Sequence, residues 1–540
     1  MTRRSILLLG SATVVAALMW LGVVVVAMRS GPEPVASFRD QTCSMPAAYL
    51  ERTLAGYFPG RSGQIQLIPD QPAYFASGAG GWSHSGPWPY LQDVPLIFYG
   101  PGIISPAGEV DTPATMADVA PTLAELLNFN FDTPHGEVLE QVTAESAGRP
   151  RLVVGVVWDG GGWNTLRQWP DAWPNLARLA ADGVSFTNAT VGSSPSVTPS
   201  VHTTLGTGSF PSIHGITDIP VFTDDGEIVD AFMNGDSSRL IAAPALAEVW
   251  DEKNGNEALI GMIGYEPWHL GMIGRGGERP GGDRDHAAWL DIETNEWITN
   301  PDAYRLPVAI SDSPGLQADI RKLDAADGNL DGAWGDHAIL EERDRLEETP
   351  AFIAYHGRTM RNLIAEKGYG ADRVTDFLFT NFKQIDRVGH YFNMASGEVR
   401  QSVVESDREL GRLVEFLDEE VGRGRYVVVV TADHGQQPRD EAIGGYGINP
   451  RAITSDVNRE FGPVVINVRP TQMFLDERAM QERGVSESDI ARFIADYRVE
   501  DNTDDPRVLL GGAGRFERGD RIFDAVVPSE VLTRISCPGS

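Results

Sequence analysis

Asp433 and His434 close the run Tyr426-Val-Val-Val-Val-Thr-Ala-Asp-His-Gly435. A β-branched apolar run that ends in a carboxylate, an imidazole and a glycine reads as a buried strand delivering two metal-ligand side chains at its carboxyl end. Two other segments share this build. Arg151-Leu-Val-Val-Gly-Val-Val-Trp-Asp159 ends in a carboxylate, and Asp376-Phe-Leu-Phe-Thr-Asn-Phe382 runs into Asp386-Arg-Val-Gly-His390. Ligands of open parallel sheets gather where strands end. Asp, Asp-x-x-x-His and Asp-His arriving from three strands therefore point to a two-metal hydrolytic centre. Its donors are all nitrogen and oxygen, which suits zinc first, with manganese or iron as other occupants.

The elements around these residues imply an α/β fold, with a mostly parallel central sheet covered by helices on both faces. A charged helix over 398–421 lies between the strand before Asp386 and the strand before Asp433, as a right-handed crossover requires. Pro95-Leu-Ile-Phe-Tyr-Gly-Pro-Gly102 predicts a short core strand closed by a turn. Helices are expected near 47, at 116–127 and near 171–182. Residues 236–370, rich in Gly, Asp and Trp, read as an inserted cap lobe. Residues 435–530 read as irregular apart from a helix near 486–498. The segment 185–216 is rich in Ser, Thr, Pro and Gly. A hydroxyl held at a helix N-terminus beside a metal is a competent nucleophile.

The formal net charge of -32 argues against a nucleic-acid duplex or an anionic membrane surface as the main partner. An anionic substrate would need bound cations to supply a local positive field. At the N-terminus, Arg3 and Arg4 precede an apolar run from Ile6 to Met28. At about 1.5 Å per residue this makes roughly 34 Å of helix, enough to span a bilayer. The basic flank would stay in the cytoplasm and the body outside. Residues 1–29 are thus expected to be a transmembrane signal anchor, the rival being a cleaved signal peptide, and 30–46 a linker. Only two cysteines exist, Cys43 and Cys537. In an oxidising compartment they would pair and tie the ends of one domain, 47–540; two free thiols are the alternative.

Ser193-Ser-Pro-Ser-Val-Thr198-Pro-Ser-Val-His-Thr-Thr-Leu-Gly-Thr-Gly-Ser-Phe-Pro-Ser-Ile-His214-Gly-Ile216 resembles the nucleophile segment of the alkaline phosphatase superfamily. It is most similar to the type I phosphodiesterase / nucleotide pyrophosphatase branch. The resemblance implies Thr198 as nucleophile, with Asp159, Thr198, Asp433 and His434 holding one metal. Asp386 and His390 then match two of the three ligands of a second site. The family's remaining ligand is a late histidine, yet no histidine follows His434. Residues 60–127, with Gly-Gly-Trp-Ser-His84-Ser and Met116-Ala-Asp-Val-Ala-Pro-Thr-Leu123, resemble the family's C-terminal portion. His84 matches the missing ligand, with Ser85 in place of the usual glycine. The chain thus resembles a circular permutation in which 47–145 is the family's C-terminal part and 151–235 with 371–435 its core. A Cys43–Cys537 disulfide would restore the lost continuity.

The resemblance implies an extracytoplasmic phosphoric ester hydrolase that uses two divalent metals, zinc first, on a phosphate ester or nucleotide-like small molecule. Ile216-Thr-Asp218-Ile219 lacks the branch's phosphoryl-binding Asn, and Gly261-Met-Ile-Gly-Tyr-Glu-Pro-Trp-His269 lacks the Lys-x-Arg pair of threonine-using monoesterases. A dianionic monoester would miss those cations more than a diester, which favours diester or pyrophosphate cleavage over the phosphomonoesterase alternative. Arg275, Arg279 and Arg284 lie close enough behind to substitute. His202, His214 and His269 read as structural, or as supports behind the ligands, rather than as ligands. A sulfatase would carry arginine where Val197 stands, and a binding protein would have lost ligands, whereas all seven positions are filled once His84 is counted. A cofactor-independent phosphoglycerate mutase, a further relative, would not be exported.

Overall fold

The three apolar runs become adjacent strands, each buried along its whole length. A computed structural model of the chain describes residues 36–77, 81–340, 342–502 and 515–537. In chain order, the strands that build the site are β1 (Ile65–Pro69), β2 (Leu96–Tyr99), β3 (Gly108–Val110), β4 (Leu152–Trp158), β5 (Val184–Phe186), β6 (Ile260–Ile263), β7 (His286–Asp291), β8 (Glu296–Ile298), β9 (Asp376–Phe382), β10 (Tyr426–Thr431), β11 (Val465–Arg469), β12 (Gln472–Leu475) and β13 (Phe523–Pro528).

Nine of them form the central sheet in the order β8-β7-β6-β9-β4-β10-β2-β5-β3. β7, β6, β9, β4 and β10 run parallel. β2 enters antiparallel beside β10 and pairs with β5 on its other edge. Alternation divides the inner strands between two cores. Val153, Val157, Phe377, Phe379, Val427 and Val429 face one, with Val119, Leu123, Val201 and Leu205. Val154, Val156, Leu378, Phe382, Val428 and Val430 face the other, with Phe352, Leu363, Leu410 and Leu413. Each such side chain contributes about 1.5–3 kcal/mol through burial. Double-sided burial is why these segments read as continuous apolar runs.

Three expectations need correction. Residues 236–370 are not a separate cap. They supply β6, β7 and β8 to the central sheet and the helix Pro350–Lys367, which packs on the helix Gly397–Leu417. β6 is only four residues long and contains Gly261, too short for a strand signal. The described part of 435–530 is not irregular. β11, β12 and β13 join β1 in an antiparallel sheet of order β11-β12-β1-β13, over a third core with the helices Pro450–Phe461 and Glu487–Ala495. Nor is 30–46 wholly a linker, since Ala36–Ser44 is a helix with Phe38 buried in that core. The proposed anchor, residues 1–29, lies outside the described residues; no described helix is long and apolar enough to cross a membrane.

The two ends of the described chain meet. β13 pairs with β1 from Ile65↔Pro528 to Pro69↔Phe523, and Cys43 is bonded to Cys537 with their Cα atoms 5.4 Å apart. Replacing Cys43 with Ser removes a cross-link spanning 494 residues. It should lower unfolding stability by about 2–5 kcal/mol. Chemical denaturation of C43S against wild type measures this, and an unchanged midpoint would contradict it.

Candidate metal centre and nucleophile

β9, β4 and β10 are neighbours, so whatever follows their carboxyl ends converges. Asp159 directly follows β4, and Asp433 and His434 follow β10. Asp386 and His390 lie on the helix Gln384–Phe392 behind β9, one turn apart, so both project to one side. The structure thus forms two triads, Asp159–Asp433–His434 and His84–Asp386–His390, with the ligand atoms of each within 4.8 Å of one another. His84 reaches the second from the loop before β2; its Nε2 lies 3.5 Å from Asp386 Oδ1, and His390 Nε2 lies 3.2 Å from the same oxygen. The triads touch, His434 Nε2 being 3.9 Å from Asp386 Oδ1 and the His84 and His434 rings stacking with centroids 3.4 Å apart.

All three imidazoles donate from Nδ1 to a backbone carbonyl: His84 to Ser196 O at 3.0 Å, His390 to Trp82 O at 2.6 Å and His434 to Gly435 O at 2.9 Å. That bond fixes the tautomer and turns each Nε2 lone pair toward the carboxylates, as in metal-bound histidines. Acceptors facing acceptors repel unless a cation lies between them. Among the described residues, buried His434 Nε2 and Asp433 Oδ2 find no hydrogen-bond partner. The donors present therefore fit divalent metals. The electrostatics agree. Burial lowers the His434 pKa, but Asp433, Asp386 and Asp159 outweigh it and bring it up to about 9. Burial and the charge of Asp159 push Asp433 up to about 7. Asp159 and Asp386 move the other way: burial raises both, but Lys383 beside Asp159, and His390 with Lys383 beside Asp386, outweigh it and hold them below the usual carboxylate range. A cation near Asp433 and His434 would displace the protons that these two retain.

Thr198 opens the helix Thr198–Thr207 and is buried, its Oγ1 3.5 Å from Asp159 Oδ2. The helix dipole there favours a developing negative charge. Asn381, in β9, donates to Asp159 Oδ2 at 2.9 Å and keeps that carboxylate turned toward Thr198.

A family model described as type I phosphodiesterase / nucleotide pyrophosphatase matches residues 153–513. The chain belongs to that family. It is a type I phosphodiesterase / nucleotide pyrophosphatase-like member of the alkaline phosphatase superfamily. It is 24% identical over 417 residues to a protein of Myroides odoratus named a calcium-transporting ATPase, covering 65% of this chain and 73% of that one. It is 23% identical over 447 residues to alkaline phosphatase PafA of Elizabethkingia meningoseptica, covering 72% and 78%. The crystal structure of wild-type PafA matches with a TM-score of 0.54 at 21% identity, over 65% of this chain and 77% of that one, which shows a common fold.

In this phosphodiesterase-family chain the loops of the two triads are locked together by Gln436. Its Nε2 donates to Gly160 O at 3.1 Å and Ile385 O at 2.9 Å. Gly160 has a φ of +69° and donates its N–H to Asp433 Oδ1 at 3.1 Å. The glycine of Asp386-x-x-Gly389-His390 is required by the same clip, because a Cβ at 389 would lie 1.7 Å from Gln436 Oε1. Ala for Gly inside a helix ordinarily stabilises by about 0.5–1 kcal/mol. Here overpacking should reverse the sign, costing about 1–3 kcal/mol. A misplacement near 1 Å should lower kcat/KM by up to about 10²-fold. Denaturation and initial rates of G389A would show both; a stabilised, fully active variant would contradict the clip.

The other histidines serve the framework. His214 Nε2 meets Thr204 Oγ1 at 3.1 Å, and His269 Nδ1 meets His202 Nδ1 at 3.0 Å. Burial lowers His202 to about 3 and keeps it neutral, although its Nε2 comes within 3.7 Å of Asp433 Oδ2. The arginines behind the middle segment do not take the place of the missing cations. Arg275 pairs with Glu248 at 2.8 Å, Arg279 with Glu252 at 2.6 Å, and Arg284 donates to Pro301 O at 2.9 Å.

Three cations that the motif reading passed over line the cavity of about 360 Å³ in front of Thr198: Lys383, Arg387 and Arg469. Lys383 lies between the triads, 2.9 Å from Asp159 Oδ1 and 2.8 Å from Asp386 Oδ2. Arg469, at the end of β11, pairs at 3.5 Å with Asp218, the residue nearest the place of the absent Asn. Phe75, Trp268 and Glu266 line the same cavity. Burial pushes Glu266 up to about 7. Only Lys383 carried any signal in the sequence, through its position one turn before Asp386.

Proposed function

We propose that this phosphoester hydrolase cleaves phosphodiesters or pyrophosphates of nucleotide-like small molecules with Thr198 as nucleophile. Asp159, Thr198, Asp433 and His434 would hold one divalent metal and His84, Asp386 and His390 a second, zinc first. The observation that carries the reading is the pair of triads with their Nε2 lone pairs turned inward, next to a buried helix-capping hydroxyl. Bound metals would supply Lewis-acid charge for the nucleophile, the phosphoryl oxygens and the attacking water.

The chain's own residues set the geometry. Asp159 and Lys383 hold Thr198 Oγ1 in place. Its proton goes to solvent, Oγ1 bonds to phosphorus, and the bond to the leaving oxygen breaks with its electron pair, that oxygen taking a proton from water. A second water then attacks the phosphothreonine, the Oγ1–phosphorus bond breaks, and Oγ1 recovers a proton. Glu266 supports the diester preference, because a carboxylate on the cavity wall disfavours the second negative charge of a monoester dianion. The phosphomonoesterase alternative has its own support in Lys383, Arg387 and Arg469 on the cavity wall.

The same reading makes the chain a circular permutation, with His84 as the displaced ligand, and places the domain outside the cytoplasm behind the segment Ile6–Met28. The Cys43–Cys537 disulfide supports both. Initial rates of the purified full chain with zinc on bis-p-nitrophenyl phosphate and p-nitrophenyl phosphate test the function. Higher kcat/KM on the diester supports the proposal. Higher kcat/KM on the monoester moves the assignment to the phosphomonoesterase alternative, and turnover of neither ester contradicts both.

A further inference from the structure

We propose that Lys383 is a catalytic residue which supplies, from the carboxyl end of β9, the positive charge that the middle segment lacks. The proposal rests on Thr198 as the nucleophile. Lys383 Nζ lies 3.0 Å from Thr198 Oγ1, 2.9 Å from Asp159 Oδ1 and 2.8 Å from Asp386 Oδ2. An ammonium has three donors and no acceptor, so the geometry uses all three. The side chain is 5% exposed.

The placement follows from the sequence. Lys383 comes one residue after β9 and three before Asp386, so the first turn of the helix sets its ammonium on the face that carries the ligand. Lysine occurs at only four positions in this chain, and Lys253, Lys322 and Lys367 are exposed. The one buried lysine stands at the reacting hydroxyl. A compact charge with rotatable donors fits between two carboxylates and a hydroxyl; the planar fork of arginine does not.

Two consequences bear on the reaction. Thr198 Oγ1 accepts a charge-assisted hydrogen bond from Lys383 while its own O–H points to Asp159 Oδ2, and the ammonium favours the oxygen as an anion once the proton leaves. A cation bonded to the attacking oxygen also stands beside the phosphoryl oxygens once that oxygen meets phosphorus, which is the place left empty by the missing Lys-x-Arg pair and Asn. Glu266 lines the cavity without supplying such charge, and Arg275 and Arg279 are held by Glu248 and Glu252. A rival account has Lys383 merely balancing Asp159 and Asp386.

The experiment compares full-chain wild type, K383M, K383Q, K383R and T198A at saturating zinc. It measures metal content by elemental analysis, kcat and KM on bis-p-nitrophenyl phosphate, and the inhibition constant of inorganic phosphate. K383M and K383Q should keep wild-type metal content while kcat falls by about 10²–10³-fold. Phosphate inhibition should weaken by about tenfold or more, and K383R should recover only part of kcat. Activity within threefold of wild type in K383M or K383Q would overturn the proposal. So would loss of metal and activity together with full rescue by excess zinc, which is the signature of charge balancing. Activity that survives in T198A would instead locate the failure in the nucleophile assignment.

Discussion

Thr198→Ala should lower kcat/KM by roughly 10⁴-fold or more while leaving the fold intact, a loss of the size seen when a nucleophile is removed from a preorganised site. The hydroxyls just before it do not take its place. Ser196 turns its Oγ to His84 O at 2.8 Å, and Ser194 donates to Ser85 O at 3.1 Å, both away from Asp159. Thr198→Ser keeps the oxygen and should recover a substantial share of the rate. The Cγ2 methyl of threonine is fixed by χ1 stiffness within a buried helix start, so the serine should pay in kcat rather than KM. Acid-quenched wild type incubated with substrate should carry phosphate on the tryptic peptide containing residue 198, and T198A none. Phosphate found on another residue, or T198A retaining a tenth of the activity, would remove Thr198 from the mechanism.

His84→Ala should be nearly as severe and more informative about the architecture. It removes one donor of the second triad but leaves Asp386 and His390, which are anchored by their own helix and by Trp82 O. The purified variant should contain about one metal per chain instead of two, with kcat down by roughly 10²–10³-fold and partial recovery in excess zinc. Elemental analysis and a zinc titration of the rate would decide. Full metal content with near-normal turnover would mean that His84 only stacks on His434, and the permuted ligand assignment would fall with it.

The triads were legible because their residues sit at strand ends with side chains of distinctive chemistry, and because double-sided burial leaves an unbroken apolar signature in β4, β9 and β10. His84 was legible only through a resemblance, since a lone histidine between serines has no periodicity to mark it. The cavity wall was not legible. Arg469 reaches the site through the hairpin β11–β12, whose half-buried strand reads Val-Ile-Asn-Val-Arg with burial that never settles into a clean alternation. Glu266 follows β6, a strand of four residues with a glycine in it. Short, mixed strands are specified by their neighbours rather than by themselves, so 236–370 reads as an insertion although it holds one flank of the central sheet. The helix Ala36–Ser44 was hidden for the opposite reason: its residues are mostly polar, and Phe38 gains its burial from β13 and the third core at the far end of the chain.

Insertion of β2 between β10 and β5 has a consequence for how the enzyme is made. The strand is synthesised early, yet its hydrogen-bonding edge waits for Leu96 to meet Thr431. The loop before it waits in the same way, because His390 binds a carbonyl 308 residues upstream. A nascent chain on the ribosome therefore carries His84, Asp159 and Thr198 well before Asp386, His390, Asp433 and His434 emerge to complete the triads. Contacts this distant in sequence also make for slow assembly. Assembly of the site is thereby tied to the order of the strands, because the two triads can close only when β2 and the loop before it have docked against β10 and the helix that carries His390.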